Sequence, residues 1–221
     1  MSDSLEIHTR NDLVADRIRN RILRGFFKPG TKLDQANLAE ELNVSRSPVR
    51  EALRTLEAEG LITGIPNRGA VVTQRSLDEL RELYYTRSLI EGIAIERAVP
   101  HLEDTTLEKL DGILHSAGLL SDHGELLALN NEFHMRIYRS FPQPFLVQTI
   151  QQLRNMAAPY NSLYLDTEGS LQSAWADHRR IFDACLKGDV EQAALETRRH
   201  LDRVCEALIA AAICDDVHCK T

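Results

Sequence analysis

The sequence predicts a mostly α chain, with an N-terminal winged helix-turn-helix over residues 1–75 and an all-α antiparallel helical bundle over residues 76–221. Three observations predict it. Two short segments with apolar residues at helical spacing meet at Asn43-Val44. Two β-rich runs flank a Pro/Asn/Gly turn just beyond them. From Leu77 onward the chain reads as long amphipathic helices without a convincing strand.

The first helix is expected over 12–26, with Leu13, Ile18, Ile22 and Leu23 inward, Arg17, Arg21 and Arg24 outward, and Lys28-Pro29-Gly30 as its stop. A second helix, within 33–42, has apolar positions at Leu38, Ala39 and Leu42. The third starts at Ser45, a favourable N-cap, and tolerates Pro48 in its first turn. Val49, Ala52, Leu53 and Leu56 form its buried face. Its outer face then carries Arg46, Arg50 and Arg54 as one stripe, with Ser47 beside them, and a cationic stripe on a second helix is shaped to enter a DNA groove. Leu61 to Ile65 and Ala70 to Thr73 around Pro66-Asn67-Arg68-Gly69 predict a hairpin, a wing whose Arg68 could reach a minor groove.

Ser76-Leu77-Asp78-Glu79 is a capping box, so a new helical unit begins after the hinge at Gln74-Arg75. Helix patterns follow over 77–99, 105–121, 125–141, 145–165, 171–186 and 190–213, with Thr105/Glu108 and Asp189/Gln192 marking two of the starts. Six such helices make a bundle. A hydrophobic content of 43% in 221 residues is enough for one large or two modest cores. No signal peptide or membrane segment is read, and Cys185, Cys205, Cys214 and Cys219 lack a pairing pattern, so the expected location is cytoplasmic with reduced thiols.

The net charge of −7 is unevenly placed. Residues 1–75 hold 12 Lys/Arg against 10 Asp/Glu, a net of +2, and residues 76–221 hold 14 against 23, a net of −9. Screening limits the acidic part's reach to about 8 Å at physiological salt, so it does not prevent a basic ridge elsewhere from meeting phosphate. The N-terminal part is the DNA-facing part, with Arg17 and Arg21 as further phosphate contacts.

Three bundle helices place polar groups on apolar faces. One stripe is Leu126, Leu127, Asn130, Phe133, His134, Ile137, Tyr138 and Phe141. A second is Leu171, Ala174, Trp175, His178, Ile181, Phe182 and Cys185, and a third is Ala193, Thr197, His200, Leu201, Val204 and Leu208. Buried polar groups cost on the order of 1 to 3 kcal/mol each unless satisfied. A shared divalent ion would satisfy His134, His178, His200 and Asn130 together, zinc by default, with nickel, manganese or iron suited to an open site. The remaining histidines lie at termini or helix ends and are read as solvated. Arg87 offers a bidentate fork for the carboxylate of a small effector; its alternative use is a helical pair with Glu91.

Leu42-Asn43-Val44-Ser45-Arg46-Ser47-Pro48-Val49-Arg50-Glu51-Ala52-Leu53, then Leu56-Glu57-Ala58-Glu59-Gly60-Leu61-Ile62 and Asn67-Arg68-Gly69-Ala70, resemble the GntR superfamily of bacterial transcription regulators. Arg87-Ser88-Leu89-Ile90-Glu91, Asn130-Asn131-Glu132-Phe133-His134, His178 and His200 resemble its FadR-like branch with an FCD effector domain. The resemblance covers nearly the whole chain. It implies that Arg46, Ser47 and Arg50 contact double-stranded operator DNA while the wing around Gly69 approaches the minor groove. It also implies that Asn130, His134, His178 and His200 hold a divalent cation beneath a small-acid pocket. Asn130 stands where many relatives have Asp, and Ala36 where some have a DNA-contacting Arg. The function expected is that of a homodimeric, ligand-responsive repressor rather than an enzyme. Two other readings are a metal-dependent hydrolase or lyase and a metal-free regulator with a fatty-acyl effector. Against the first, no general base pairs with the site, since Glu132, two residues before His134, points away; against the second, a lipid cavity has no use for three histidines.

Overall fold

A computed structural model describes residues 10–65, 69–165 and 170–218. In chain order the elements are α1 (Arg10–Leu23), β1 (Lys32–Leu33), α2 (Gln35–Glu41), α3 (Arg46–Ala58), β2 (Ile62–Ile65), β3 (Gly69–Val72), α4 (Leu77–Ala98), α5 (Asp104–Ala117), α6 (His123–Tyr138), α7 (Pro144–Leu165), α8 (Ser170–Leu186) and α9 (Val190–His218), with a 3-10 turn at Val99–His101. One buried cluster joins Ile18 and Ile22 of α1, Leu38 of α2, Val49 and Leu56 of α3, and Ala70 and Val72 of β3. Two others fill the bundle, one around Ile95, Phe133, Ile137 and Ile181, the other around Leu80, Tyr84, Ala157 and Leu201.

Local chemistry sets the element ends. Asp34 caps α2 by accepting from the amides of Ala36 and Asn37. Asn43 takes φ +52°, a left-handed conformation that asparagine tolerates, and Val44 N–H donates to Ala39 O at 2.9 Å to close the turn into α3. Ser45 stands at the N-cap position of α3, as expected, but its hydroxyl makes no capping bond. The first helix ends at Leu23 rather than at residue 26, because Gly25 at φ +77° lets Phe26 N–H close back onto Arg21 O. Leu13 is 52% exposed, and Val14 and Ala15 take the inward place assigned to it.

The wing is a three-stranded antiparallel sheet of order β1-β3-β2, with Ile62 opposite Val72 and Ile65 opposite Gly69. Its two-residue edge strand β1 pairs Leu33 with Ala70, and it is too short to leave a periodic signal. The Ser76–Glu79 capping box forms, with Glu79 N–H donating to Ser76 Oγ and Ser76 N–H to Glu79 Oε2. Asp189 likewise accepts from Gln192 N–H at 3.0 Å. The Thr105/Glu108 start is not realised: α5 begins a residue earlier, with Glu103 at the N-cap and Thr105 inside the first turn. Asp122, which accepts from Glu125 N–H at 2.7 Å, starts α6 two residues before the expected position. Among the described residues no helix is long and apolar enough to cross a membrane, and Cys185 and Cys205 are free thiols. Arg68, Cys219 and the side chains of Leu171 and Cys214 lie outside the described residues.

Candidate functional site

Arg46, Ser47, Arg50 and Arg54 all lie exposed on α3, opposite the face that buries Val49, Ala52, Leu53 and Leu56. Glu51 sits between two of the arginines, 3.5 Å from Arg50 Nε and 3.3 Å from Arg54 Nη1. Exposed pairs of this kind contribute at most about 1 kcal/mol, so either guanidinium can exchange its partner for DNA. Arg21 is differently placed: it pairs with Glu41 at 2.5 Å and covers the Phe27 ring, a structural role that the outward reading of α1 did not foresee. Gly69 opens β3 at φ +94°, and a Cβ there would stand 2.7 Å from Leu33 O, so only glycine lets the wing close against β1.

Inside the bundle α6, α8 and α9 bring His134, His178 and His200 together, all buried, each offering one ring nitrogen within 4.8 Å of the others. His134 Nε2 lies 3.0 Å from His178 Nε2. The three ring centroids are 4.7 to 5.4 Å apart. Burial pushes the pKa values of His134 and His178 well below that of ordinary histidine, reinforced at His134 by the positive charge of Arg154 and at His178 by His200 and Arg154. His200 is also lowered by burial, which its hydrogen bond to Asp177 only partly offsets. Three neutral imidazoles with lone pairs available therefore face one another.

Two of the rings are oriented from behind. His200 Nδ1 is 3.2 Å from Asp177 Oδ2, and His134 Nδ1 is 3.4 Å from the hydroxyl of Tyr138, which donates to Glu91 Oε2 at 2.9 Å. His178 Nδ1 is buried without a hydrogen-bond partner among the described residues, an orphaned polar atom in a site otherwise connected. That donor set, neutral nitrogen with outer oxygens fixing tautomers, suits a divalent transition metal. Asn130 is half-buried one turn before His134 and lines the same cavity as His178 and His200.

Arg87 makes the helical pair, with Nε 2.7 Å from Glu91 Oε1, and it also lines this cavity of about 490 Å3. Besides Asp177, sequence reasoning missed Arg154 of α7, buried, whose guanidinium is 2.8 Å from Glu91 Oε2 and donates to Asn131 Oδ1 and Asn130 O. Burial opposes ionisation of Glu91, yet Arg87 and Arg154 together hold its carboxyl below the usual range. Two buried guanidiniums share one carboxylate, leaving a net positive charge beside the imidazoles. Tyr84, Trp175, Leu201 and Val204 supply apolar walls. Glu132, the nearest acid in sequence to His134, is exposed and pairs with Arg136, away from the histidines.

Residues 11–72 match the family of bacterial regulatory proteins named for gntR, and residues 82–203 match the FCD domain. The chain belongs to the GntR family, FCD branch. Within it, this regulator is 31% identical to the gluconate operon transcriptional repressor of Bacillus licheniformis, over 77% of this chain and 70% of that protein. It is 26% identical to the transcriptional repressor RspR of Escherichia coli, over 90% of this chain and 88% of that one. The solved structure of E. coli McbR/YncC superposes with a TM-score of 0.79 at 25% identity, covering 91% of this GntR-family chain and 96% of the other. Its relatives are transcriptional regulators, so the exposed arginines of α3 belong to a DNA-binding fold and the buried site to an FCD domain.

Proposed function

We propose that this protein is a cytoplasmic homodimer that reads a two-fold operator through α3 and the wing, and that a small carboxylate bound near a divalent metal in the bundle changes its affinity for DNA. The division of labour falls between residues 75 and 76. The observation carrying this reading is the cavity that His178 and His200 line together with Arg87 and Arg154, with the His134 ring buried against the other two imidazoles. His134, His178 and His200 would hold the metal, with Asn130 as an oxygen donor, zinc being the default. A bound ion supplies a Lewis-acidic point for an anionic ligand; Arg87 and Arg154 neutralise and orient the same carboxylate, and Glu91 holds both guanidiniums in place. Tyr85, Leu89 and Ile93, 66%, 46% and 44% exposed at four-residue spacing on α4, form an apolar stripe suited to a second copy of the chain. Two relatives are repressors, which favours repression over activation.

Metal analysis of the untagged protein purified without chelator tests the centre of this reading. About one ion per chain is expected, with loss of the ion and of any acid-dependent change in operator binding in His178→Ala. Protein that stays metal-free at every concentration of zinc, nickel, manganese or iron supplied would leave the histidines as core residues and end the metal-linked reading.

A further inference from the structure

The effector cavity does not end at the bundle. Five of its residues, Arg87, Leu127, Asn130, Arg154 and Asn161, also line a second cavity of about 680 Å3. The facing wall of that vestibule is the end of α1 in the DNA-binding domain, contributed by Asn20, Leu23 and Arg24. Close packing holds α1 there: a Cβ at Gly124, in the first turn of α6, would lie 3.3 Å from Arg24 Cβ and 3.5 Å from Arg24 O.

The vestibule is built of donors. Asn131 Oδ1 is occupied by Arg154 Nε at 3.2 Å, Asn155 Oδ1 by Gln151 Nε2 at 2.8 Å, and Asn161 Oδ1 by the Tyr84 hydroxyl at 2.9 Å, while the amide nitrogens of all three meet no acceptor among the described residues, so each can donate to a ligand. Asn20 adds another amide. The Arg24 guanidinium is exposed, with no ion-pair partner among the described residues, and no Asp or Glu lines the vestibule. A cation among amide donors seeks an anion rich in acceptor atoms. The inner cavity already provides for one carboxylate, so an anion held in the vestibule would be a second group of the same ligand.

We propose that the vestibule binds the second carboxylate of a linear dicarboxylic acid whose first carboxylate sits beside Arg87 and Arg154, with Asn20 and Arg24 reaching it from the DNA-binding domain. The inference rests on the carboxylate-effector reading above and adds its consequence: a diacid ties both domains together, whereas a monoacid of equal length brings no second carboxylate for Asn20 and Arg24 to hold. The second carboxylate then decides whether α1 is clasped to α6 and α7.

The test is calorimetric titration of the full-length, zinc-supplied protein, without DNA, using glutarate, adipate and pimelate against hexanoate. At least one diacid is expected to bind about tenfold or more tightly than hexanoate, the effect of one charge-assisted contact. Arg24→Gln should remove that advantage while hexanoate affinity stays unchanged, and Asn20→Ala should remove part of it. Equal binding of diacids and hexanoate, or an equal weakening of both in Arg24→Gln, would overturn the inference and leave the carboxylate reading standing. Binding of none of the four acids to wild-type protein would overturn both.

Discussion

At neutral pH the imidazoles of His134, His178 and His200 are uncharged, because burial in each case lowers the pKa from its usual value. The unfolded chain takes up protons on these three side chains below about pH 6.5 while the folded chain does not, so stability falls as the pH drops through that range. Each histidine contributes a slope of up to about 1.4 kcal/mol per pH unit. Asp177 and Glu91, whose carboxyls are held below the usual range, add their own loss only at lower pH. Thermal melts of chelator-treated protein should therefore show a falling melting temperature from pH 6.5 to 5, and the fall should flatten in a His178→Ala background; an unchanged slope there would contradict the assignment. The histidines were legible in the sequence because each stands in register with an apolar residue one turn on, Ile137 for His134, Ile181 and Phe182 for His178, and Val204 for His200. Arg154 sends the same signal, lying four residues after buried Ile150 and three before buried Ala157, but a lone arginine among polar neighbours reads as surface. Asp177 was hidden for the same reason, since Arg179 and Arg180 beside it look solvated while its partners His200 and Arg203 come from another helix.

Helix α3 offers its guanidiniums with little holding them back, as Arg50 pairs only with its half-buried neighbour Glu51 among the described residues. Arg50→Ala is expected to leave the fold intact and to cost on the order of 1 to 3 kcal/mol of operator affinity with relaxed sequence preference, measured by gel shift against specific and scrambled duplexes. A loss that is equal on both duplexes would make Arg50 a phosphate contact instead. Type and order of the long elements follow from apolar periodicity, which is why α3, α4, α7 and α9 were readable. Their ends follow from single residues whose role depends on backbone conformation. Gly25 ends α1 and Asp122 begins α6, and neither interrupts the hydrophobic pattern enough to mark the boundary in sequence.

Across the whole molecule, α7 is the element that touches both ends of the proposed signal. Its Arg154 and Asn161 line the effector cavity, and within the same helix Tyr160 receives the N–H of Arg75 and donates to Thr73 O at 3.3 Å, while Arg75 bridges Gly60 O at 3.1 Å and Met156 O at 3.4 Å. The segment leaving the wing, which follows β3, is thus hydrogen-bonded to the helix that would sense the acid. None of this was visible in the sequence, because Tyr160 is separated from Arg75 by 85 positions and the contact depends on how two cores pack. A shift of α7 on ligand binding has a direct route to the wing through these bonds, since coupling needs an element with two arrangements that both sites bias. Tyr160→Phe keeps the ring and removes the hydroxyl, at a stability cost of about 1 kcal/mol. Operator binding without ligand is then expected to stay within a few-fold of wild type, because α3 is untouched, a change of under about 1 kcal/mol. The change in operator affinity on adding the acid should shrink severalfold in fluorescence anisotropy titrations, with the acid's own affinity unaltered in calorimetry. An unaltered response ratio in Tyr160→Phe would assign transmission to the direct contact of α1 with the vestibule, and a loss of acid affinity would place Tyr160 in the ligand site rather than between the two domains.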